Sequence, residues 1–211
     1  MKKIMIATMV AFAGGAQAQN LLGNAGFEAQ VNFDGNDSGN WNSFFGGADF
    51  QQSESIIPGP SDGPPAEGAQ VLQIGTFNTG NTFVGVTQTV PVAGGIDYTF
   101  AFQAREIIQN GIFAEYRIEW KDAGGNFIGG QFDLNTNLDS GLTSDFQPFS
   151  LSATSPAGAA TGTVVIAVQT FGSAAPFEGF IQIDDASFIP APASAALLGL
   201  GGLAAARRRR A

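Results

Sequence analysis

The 211-residue chain contains no cysteine and no histidine. Disulfide bonds are therefore excluded, and so are serine–histidine and cysteine–histidine catalysis, histidine-ligated zinc and histidine-ligated haem. Carboxylates are left as the side chains that could carry chemistry or bind a metal ion. The length suits one domain with its own core better than two.

Basic residues are scarce between the two ends of the chain. Six of the nine lysines and arginines are terminal, which leaves three (Arg105, Arg117 and Lys121) against 18 acidic residues, a net charge of −15. A body this acidic repels phosphate backbones and anionic lipid headgroups. We therefore expect no nucleic-acid partner and no membrane binding by the body itself.

No segment between residues 20 and 189 shows a helical period. Short alternating apolar runs are instead separated by glycine, proline or asparagine clusters about every eight to twelve residues, which is typical of an all-β sandwich or barrel. Residues 121–126, KDAGGN, predict a hairpin turn, and residues 56–69, rich in proline, predict a long loop. The sequence predicts strands at 70–75, 83–90, 97–106, 113–120, 126–134, 146–153, 162–171 and 179–188.

Tryptophan and tyrosine are also scarce. Trp41, Trp120, Tyr98 and Tyr116 stand against 19 phenylalanines. Alternation in FAEYRIEW (113–120) places Tyr116 and Trp120 on the face that points to the core. We expect all four to be core residues, and phenylalanine to be mainly core filler because it lacks a polar group. Candidates for a polar, ligand-facing surface are Asn78, Asn81, Gln103, Arg105, Gln131 and Asp133.

Residues 1–18, MKKIMIATMVAFAGGAQA, join two lysines to an apolar stretch and the small-residue pattern Ala16-Gln17-Ala18. This is the pattern of a signal peptide that signal peptidase removes. A buried amphipathic helix is the alternative, but the segment has no polar face of period 3.6. The sequence therefore predicts export, with a mature chain that starts near Gln19 and forms one β-sandwich domain over 19–189.

Three segments occur in the order NLLGNAGFEA (20–29), VTQTVPVAGGIDYTFAFQARE (86–106) and GFIQIDDASF (179–188). Together they resemble the carbohydrate-binding-module and galactose-binding-like group, which implies a jelly-roll-like antiparallel sandwich over about residues 20–189. In that group the first glutamate and an aspartate of the last strand often share a structural calcium ion.

By position, the resemblance makes Glu28 and either Asp184 or Asp185 the calcium ligands, with backbone carbonyls near Asn24 to Gly26. Calcium prefers six to eight oxygen ligands, and two adjacent carboxylates would otherwise repel each other. The alternative is that the two aspartates straddle the strand, one solvated and one capping a turn.

The last segment, 190–211, begins with Pro190-Ala191-Pro192, continues as a small-residue apolar run, and ends in Arg207, Arg208, Arg209 and Arg210. It resembles a PEP-CTERM sorting tail, although the usual motif of that family is proline, glutamate, proline. The resemblance implies a transient inner-membrane anchor that an exosortase cleaves near the prolines, after which the body reaches the cell surface or the extracellular matrix.

The apolar run of the tail is a marginal anchor. About fourteen residues span about 21 Å as a helix, short of the roughly 30 Å hydrocarbon core. A permanent short anchor and a basic, disordered tail are the alternatives to a cleaved sorting signal.

The function that follows is an exported, non-catalytic surface or matrix protein that associates with exopolysaccharide. One alternative is a lectin-like module for soluble carbohydrate. A secreted glycoside hydrolase is another, but it needs two carboxylates about 5 to 10 Å apart. Glu115 and Glu119 share a strand face roughly 13 Å apart, so that pair does not fit.

Overall fold

A computed structural model describes residues 19–31, 40–47, 50–59, 61–78, 82–110, 113–130, 136–137, 142–170 and 177–191. Within these ranges the chain forms strands and no helix. The strands are β1 Asn42–Gly46, β2 Phe50–Ile56, β3 Val71–Asn78, β4 Thr82–Pro91, β5 Asp97–Asn110, β6 Phe113–Lys121, β7 Phe127–Gly130, β8 Thr136–Asn137, β9 Gln147–Thr154, β10 Thr161–Thr170 and β11 Phe177–Pro190.

Both predicted targeting segments fall mainly outside the described residues. The signal segment with Ala16 and Ala18 does so entirely, and the tail does so from Pro192 through Arg207, Arg208, Arg209 and Arg210. Among the residues that the structure does describe, no helix is both long and apolar enough to cross a membrane.

The strands form two antiparallel sheets. Sheet A has the order β1-β4-β10-β6-β7, with β8 beside β6, and sheet B has the order β2-β3-β11-β5-β9. The beginning of the domain joins the last strand, because the Leu21 amide donates to the Phe188 carbonyl and the Ala186 amide to the Ala25 carbonyl, both at 2.9 Å. The fold is the jelly-roll-like all-β sandwich that the sequence predicts.

Along the strands, apolar side chains that point inward alternate with side chains that point outward, and the inward ones form the core between the two sheets. In β6 every second residue from 114 to 120 is buried, while the residues between them are partly exposed. The Tyr98 ring centroid lies 5.6 Å from that of Trp120 and 5.2 Å from that of Phe188. Trp41, Trp120, Tyr98 and Tyr116 are all buried, with exposures of 0% to 4%, which confirms their prediction as core residues.

All eight predicted strands occur in the described part, although only residues 126–130 of the predicted strand 126–134 are described, with β7 over 127–130. The structure adds β1, β2 and β8. Strands β1 and β2 are edge strands of sheets A and B, and an edge strand tolerates glycine and polar residues that blur the alternation. The KDAGGN hairpin is confirmed, because the Asp122 amide donates to the Asn126 carbonyl at 2.9 Å and Gly125 has a φ of +82°.

Candidate functional site

The double aspartate of β11 lies at a break in the strand pairing. The register of β11 against β5 shifts between Asp184 and Ser187, and Asp185 has a left-handed backbone with a φ of +48°. Asp184 is fully buried, whereas Asp185 is exposed. The Asp184 carboxylate accepts hydrogen bonds from the Glu67 amide at 2.9 Å and from the Asp185 amide at 2.8 Å. Burial raises the pKa of Asp184, and these hydrogen bonds partly offset the shift.

Glu28, the other predicted ligand, contacts the same loop. Its Oε1 accepts hydrogen bonds from the Ala69 amide at 2.8 Å and from the Gln70 amide at 3.0 Å. A Cβ added to Gly68 would lie 2.0 Å from this oxygen, and Gly68 has a φ of +60°. A glycine is therefore needed here for the loop to approach the carboxylate. Glu28 and Asp184, far apart in sequence, hold one loop by its backbone.

Glu67 adds a fourth carboxylate that sequence analysis did not select. Partial desolvation raises the pKa of this exposed side chain, and the charges of Asp185, Asp184 and Glu28 raise it further. Its Oε1 would lie 2.0 Å from a Cβ at Gly26, next to the backbone that the resemblance assigns to the calcium site. In the sequence Glu67 lies between two prolines and a glycine in PPAEGA (64–69). This local pattern does not indicate which distant residues Glu67 contacts.

This set of carboxylates supplies the hard oxygens that calcium prefers. However, Glu28 and Asp184 already accept hydrogen bonds from loop amides. In the part of the chain that the structure describes, no three His, Cys, Asp or Glu side chains are grouped so that they could hold a metal ion. The carboxylates, as they lie, organise a loop rather than a metal shell. Calcium binding by Glu28 and Asp184 or Asp185 stays a prediction.

Residues 61–70, here called the strap, cover the part of the outer face of sheet B around Arg105 and Gln182. Arg105 of β5 is 3% exposed, and its Nη1 donates to the Pro64 carbonyl at 3.0 Å while its Nη2 donates to the Gly63 carbonyl at 3.2 Å. Both Nε and Nη2 donate to Gln182 Oε1, at 2.9 and 2.6 Å. The guanidinium carbon lies 4.3 Å from the centroid of the Phe146 ring. The prediction of Arg105 as a ligand-facing residue is wrong, because the strap buries it.

The outer face of sheet A carries exposed aromatic rings. Phe83 of β4 and Phe113 of β6 both pair with Gln169 of β10, so the three side chains point to the same side. Phe83 is 44% exposed and Phe113 is 39% exposed. The Phe44 ring lies beside them, 6.1 Å from Phe83 between centroids. We call Phe44, Phe83 and Phe113 the phenylalanine row.

Two glycines bring these rings close to the sheet. A Cβ at Gly46 would lie 2.4 Å from Cζ of Phe83, and a Cβ at Gly85 would lie 2.6 Å from Cζ of Phe44. Gly46 pairs with Phe83, and Gly85 pairs with Phe44, across β1 and β4. Each ring therefore extends over the residue directly opposite to it.

Charged side chains lie beside the row on β6. Arg117 forms ion pairs with Glu115, through Nη1, and with Glu119, through Nε at 2.8 Å. The Gln169 amide nitrogen donates to Glu115 Oε2 at 3.0 Å. The ion-paired side chains are 15% to 18% exposed. We call Glu115, Arg117 and Glu119 the ion triad.

Sequence analysis missed this surface because it treated phenylalanine as mainly core filler, although the alternation in FAEYRIEW places Phe113 on the face opposite to Tyr116 and Trp120. A signal was present in the alternation, since Phe83 precedes the buried Val84 and Phe113 precedes the buried Ala114. Both phenylalanines therefore fall on the outward parity of their strands.

The predicted sorting motif begins inside sheet B. Pro190 is the last residue of β11 and pairs with Tyr98, and the Ala191 amide donates to the Asp97 carbonyl at 2.8 Å. A pocket of about 330 Å³ lies beside this point, lined by Asp97, Thr99, Ser152, Ala153, Thr154 and Ala191. The Thr99 and Ser152 hydroxyls bond to each other at 2.8 Å, and no aromatic side chain lines this pocket. We therefore take the phenylalanine row as the candidate ligand site.

No protein-family model and no curated protein matches the chain. Solved structures match its fold. The carbohydrate-binding module TmCBM61, in complex with β-1,4-galactotriose, aligns with a TM-score of 0.53 and 15% identity over 82% of this chain and 99% of that chain. Several other matching structures are also carbohydrate-binding modules.

Proteins with other roles share the sandwich. The enzymatically active domain of tailspike protein 4 from bacteriophage CBA120 aligns with a TM-score of 0.60 and 20% identity, over 82% of this chain and 21% of that chain. A Stig cyclase from Fischerella sp. TAU aligns with a TM-score of 0.57 and 14% identity, over 83% of this chain and 99% of that chain. Identities this low show a common fold and leave function to the surface residues.

Proposed function

We propose that this chain is an exported, non-catalytic protein of the cell surface or extracellular matrix that binds polysaccharide on the outer face of sheet A. The observation that carries the proposal is the phenylalanine row, in which Phe83 and Phe113 are exposed on either side of the Gln169 amide. Aromatic faces stack on the apolar faces of sugar rings, while neighbouring polar groups hydrogen-bond to sugar hydroxyls. Several proteins of the same fold are carbohydrate-binding modules, which supports this function.

The row favours an extended chain that runs across the strands. Phe83 and Phe113 are separated by one strand, so their Cα atoms lie about 10 Å apart. An extended polysaccharide brings every second sugar to the same face over a comparable length. Two such sugars would stack on Phe83 and Phe113, with the intervening sugar above Gln169.

The proposal includes delivery by the C-terminal tail. The signal-like segment, the Pro190-Ala191-Pro192 motif and the arginine cluster support export followed by exosortase cleavage. Mass spectrometry of the C-terminal peptide of the surface-located protein tests this step. We expect a C-terminus near Pro192, and mature protein that still carries Arg207 to Arg210 would contradict cleavage.

Two other functions remain alternatives. A lectin-like module would use the same row for soluble carbohydrate, and comparison of short oligosaccharides with long chains distinguishes it. A glycosidase based on Glu115 and Glu119 is disfavoured, because the Arg117 guanidinium lies between the two carboxylates. Glycoside hydrolysis needs that space for the sugar and water.

The test is binding of the purified protein to a panel of polysaccharides, measured by affinity electrophoresis. The variant Phe83→Ala combined with Phe113→Ala removes both rings, each worth about 1 kcal/mol. We expect binding to weaken by more than about tenfold.

The matched control is Phe127→Ala. Phe127 is 49% exposed and pairs with Lys121 at the far end of β6, about 26 Å along the strand from Phe113. This control should bind as the unmodified protein does. Equal binding by the double variant and the control would overturn the assignment of the site.

A further inference from the structure

We infer that the phenylalanine row binds uncharged polysaccharides and rejects those that carry carboxylate, sulfate or phosphate groups. The inference rests on the proposed binding of carbohydrate and goes further, because it specifies the chemical class of the ligand. It follows from where the charges of sheet A lie relative to the rings.

A carboxylate lies at the end of the row. Glu115 is two residues from Phe113 on the same strand face, so their Cα atoms are about 7 Å apart. The Gln169 amide nitrogen, the polar group between the two rings, is bonded to Glu115 Oε2. An acidic sugar stacked on Phe113 would bring its anionic group close to this carboxylate, and like charges at that distance repel.

The arginine that could attract an acidic sugar is bonded to carboxylates on both sides. Arg117 donates to Glu115 and to Glu119, and each of the three side chains is 15% to 18% exposed. One positive charge is thus enclosed by two negative charges, and the ion triad carries a net charge of −1. A sugar carboxylate would have to displace Glu115 or Glu119 to bind the guanidinium.

The rest of the molecule strengthens the repulsion. The chain has 18 acidic residues, and its basic residues other than Arg105, Arg117 and Lys121 lie in the two terminal segments. A field of one sign slows the approach of a polymer of the same sign, and it does so most strongly at low ionic strength.

The ion triad therefore determines the preference for uncharged ligands, and removal of its two negative charges should abolish that preference. Glu115→Gln combined with Glu119→Gln keeps the size of both side chains and removes both charges around Arg117. The guanidinium, no longer neutralised by carboxylates, would then attract an acidic polysaccharide, while the rings and Gln169 would stay in place.

The experiment compares galactan and hydroxyethyl cellulose, which are uncharged, with polygalacturonate and alginate, which are acidic. For the unmodified protein we expect binding of at least one uncharged chain and binding of the acidic chains weaker by roughly tenfold or more. The double variant should keep the uncharged ligand and gain roughly tenfold in affinity for the acidic chains at low salt, a gain that high salt removes.

The control is Glu54→Gln combined with Glu106→Gln, which removes the same charge from sheet B and should leave the preference unchanged. Melting curves establish that all variants fold. Acidic chains bound as tightly as uncharged ones by the unmodified protein would overturn the inference and leave carbohydrate binding intact. Absence of binding to either class would instead overturn the proposed function.

Discussion

The two outer faces of the sandwich each contain one arginine, and the two arginines have opposite surroundings. Arg105 on sheet B is 3% exposed and donates to two strap carbonyls and a glutamine. Arg117 on sheet A has a 16% exposed side chain and donates to two carboxylates. The first arginine holds the strap against sheet B, and the second balances the charge of two carboxylates on a surface.

The two arginines have different roles: Arg105 on sheet B stabilises the fold, whereas Arg117 on sheet A lies beside the proposed ligand site. Burial of a charge is tolerated when its hydrogen bonds are satisfied, and its removal then leaves buried acceptors without donors. A partly exposed ion pair contributes little to folding because water screens it. Arg105 thus holds the strap over part of sheet B, whereas the rings on sheet A stay accessible beside Arg117.

The largest expected effect is on Arg105. Arg105→Met keeps the length of the side chain but leaves the Gly63 and Pro64 carbonyls and Gln182 Oε1 without these donors. We expect a loss of about 3 kcal/mol in the free energy of unfolding. For a chain of this size the Tm would fall by about 6 to 12 °C.

Arg117→Met is the matched control for that variant. It should cost clearly less than Arg105→Met, about 1 kcal/mol in unfolding free energy, because the two carboxylates left behind keep some contact with water. Urea unfolding of both variants gives the comparison. Equal destabilisation would remove the distinction between the two faces.

A smaller effect is expected from Gly46→Ala on sheet A. The added methyl would lie 2.4 Å from Cζ of Phe83 and must displace the ring, although the ring itself remains. We expect polysaccharide affinity to fall several-fold with less than about 1 kcal/mol lost in unfolding free energy. Isothermal titration and thermal melting measure the two quantities. Unchanged affinity would show that the position of the Phe83 ring is unimportant for the ligand.

The smallest effect is expected for Glu67→Gln, in the part of the strap whose backbone donates to Asp184. Its pKa is raised above the ordinary 4.5, so the folded state binds a proton more readily than the unfolded state. Stability is therefore gained as the pH falls through the raised pKa, and the gain is complete below 4.5. Glu67→Gln should remove this gain and be more stable than the unmodified protein at neutral pH. We expect a difference of about 0.5 kcal/mol or less, because Glu67 is exposed and water screens its charge.

Measurement of the Tm with and without added calcium tests the same loop further. Calcium held by Glu28 and Asp184 or Asp185 would neutralise the repulsion and raise the Tm, since a ligand that binds only the folded state stabilises it. Glu28→Gln should abolish that increase. A Tm that neither calcium nor a chelator changes would remove calcium from the description of this loop.

Much of the fold is predictable from the sequence because its signal is local. The alternation in residues 113–120 gives both the strand β6 and the inward side of Tyr116 and Trp120. The same logic fails for β1 and β2, whose NSFFG and FQQSESI segments include glycine and polar residues at sheet edges. These strands are specified by their partners rather than by their own pattern.

The candidate site was harder to predict because its parts meet only in the folded chain. Phe44, Phe83 and Phe113 come from three strands, and Gln169 between two of them comes from a fourth. The contact between Glu67 and Asp184 spans 117 residues. Composition was also a poor guide to the site. The scarcity of tryptophan and tyrosine suggested that few aromatic rings could contact a ligand, whereas phenylalanines occupy outward positions.

The position of β11 determines how the domain responds to a pull on its C-terminal end. Strand β11 pairs with β3 on one side and β5 on the other, and the chain leaves it at Ala191. Tension applied there first loads the hydrogen bonds of residues 187–190 to β5, and then the part of the strand, residues 177–183, that also pairs with β3. A body tethered by this end would therefore be pulled through the middle strand of sheet B rather than through an edge strand.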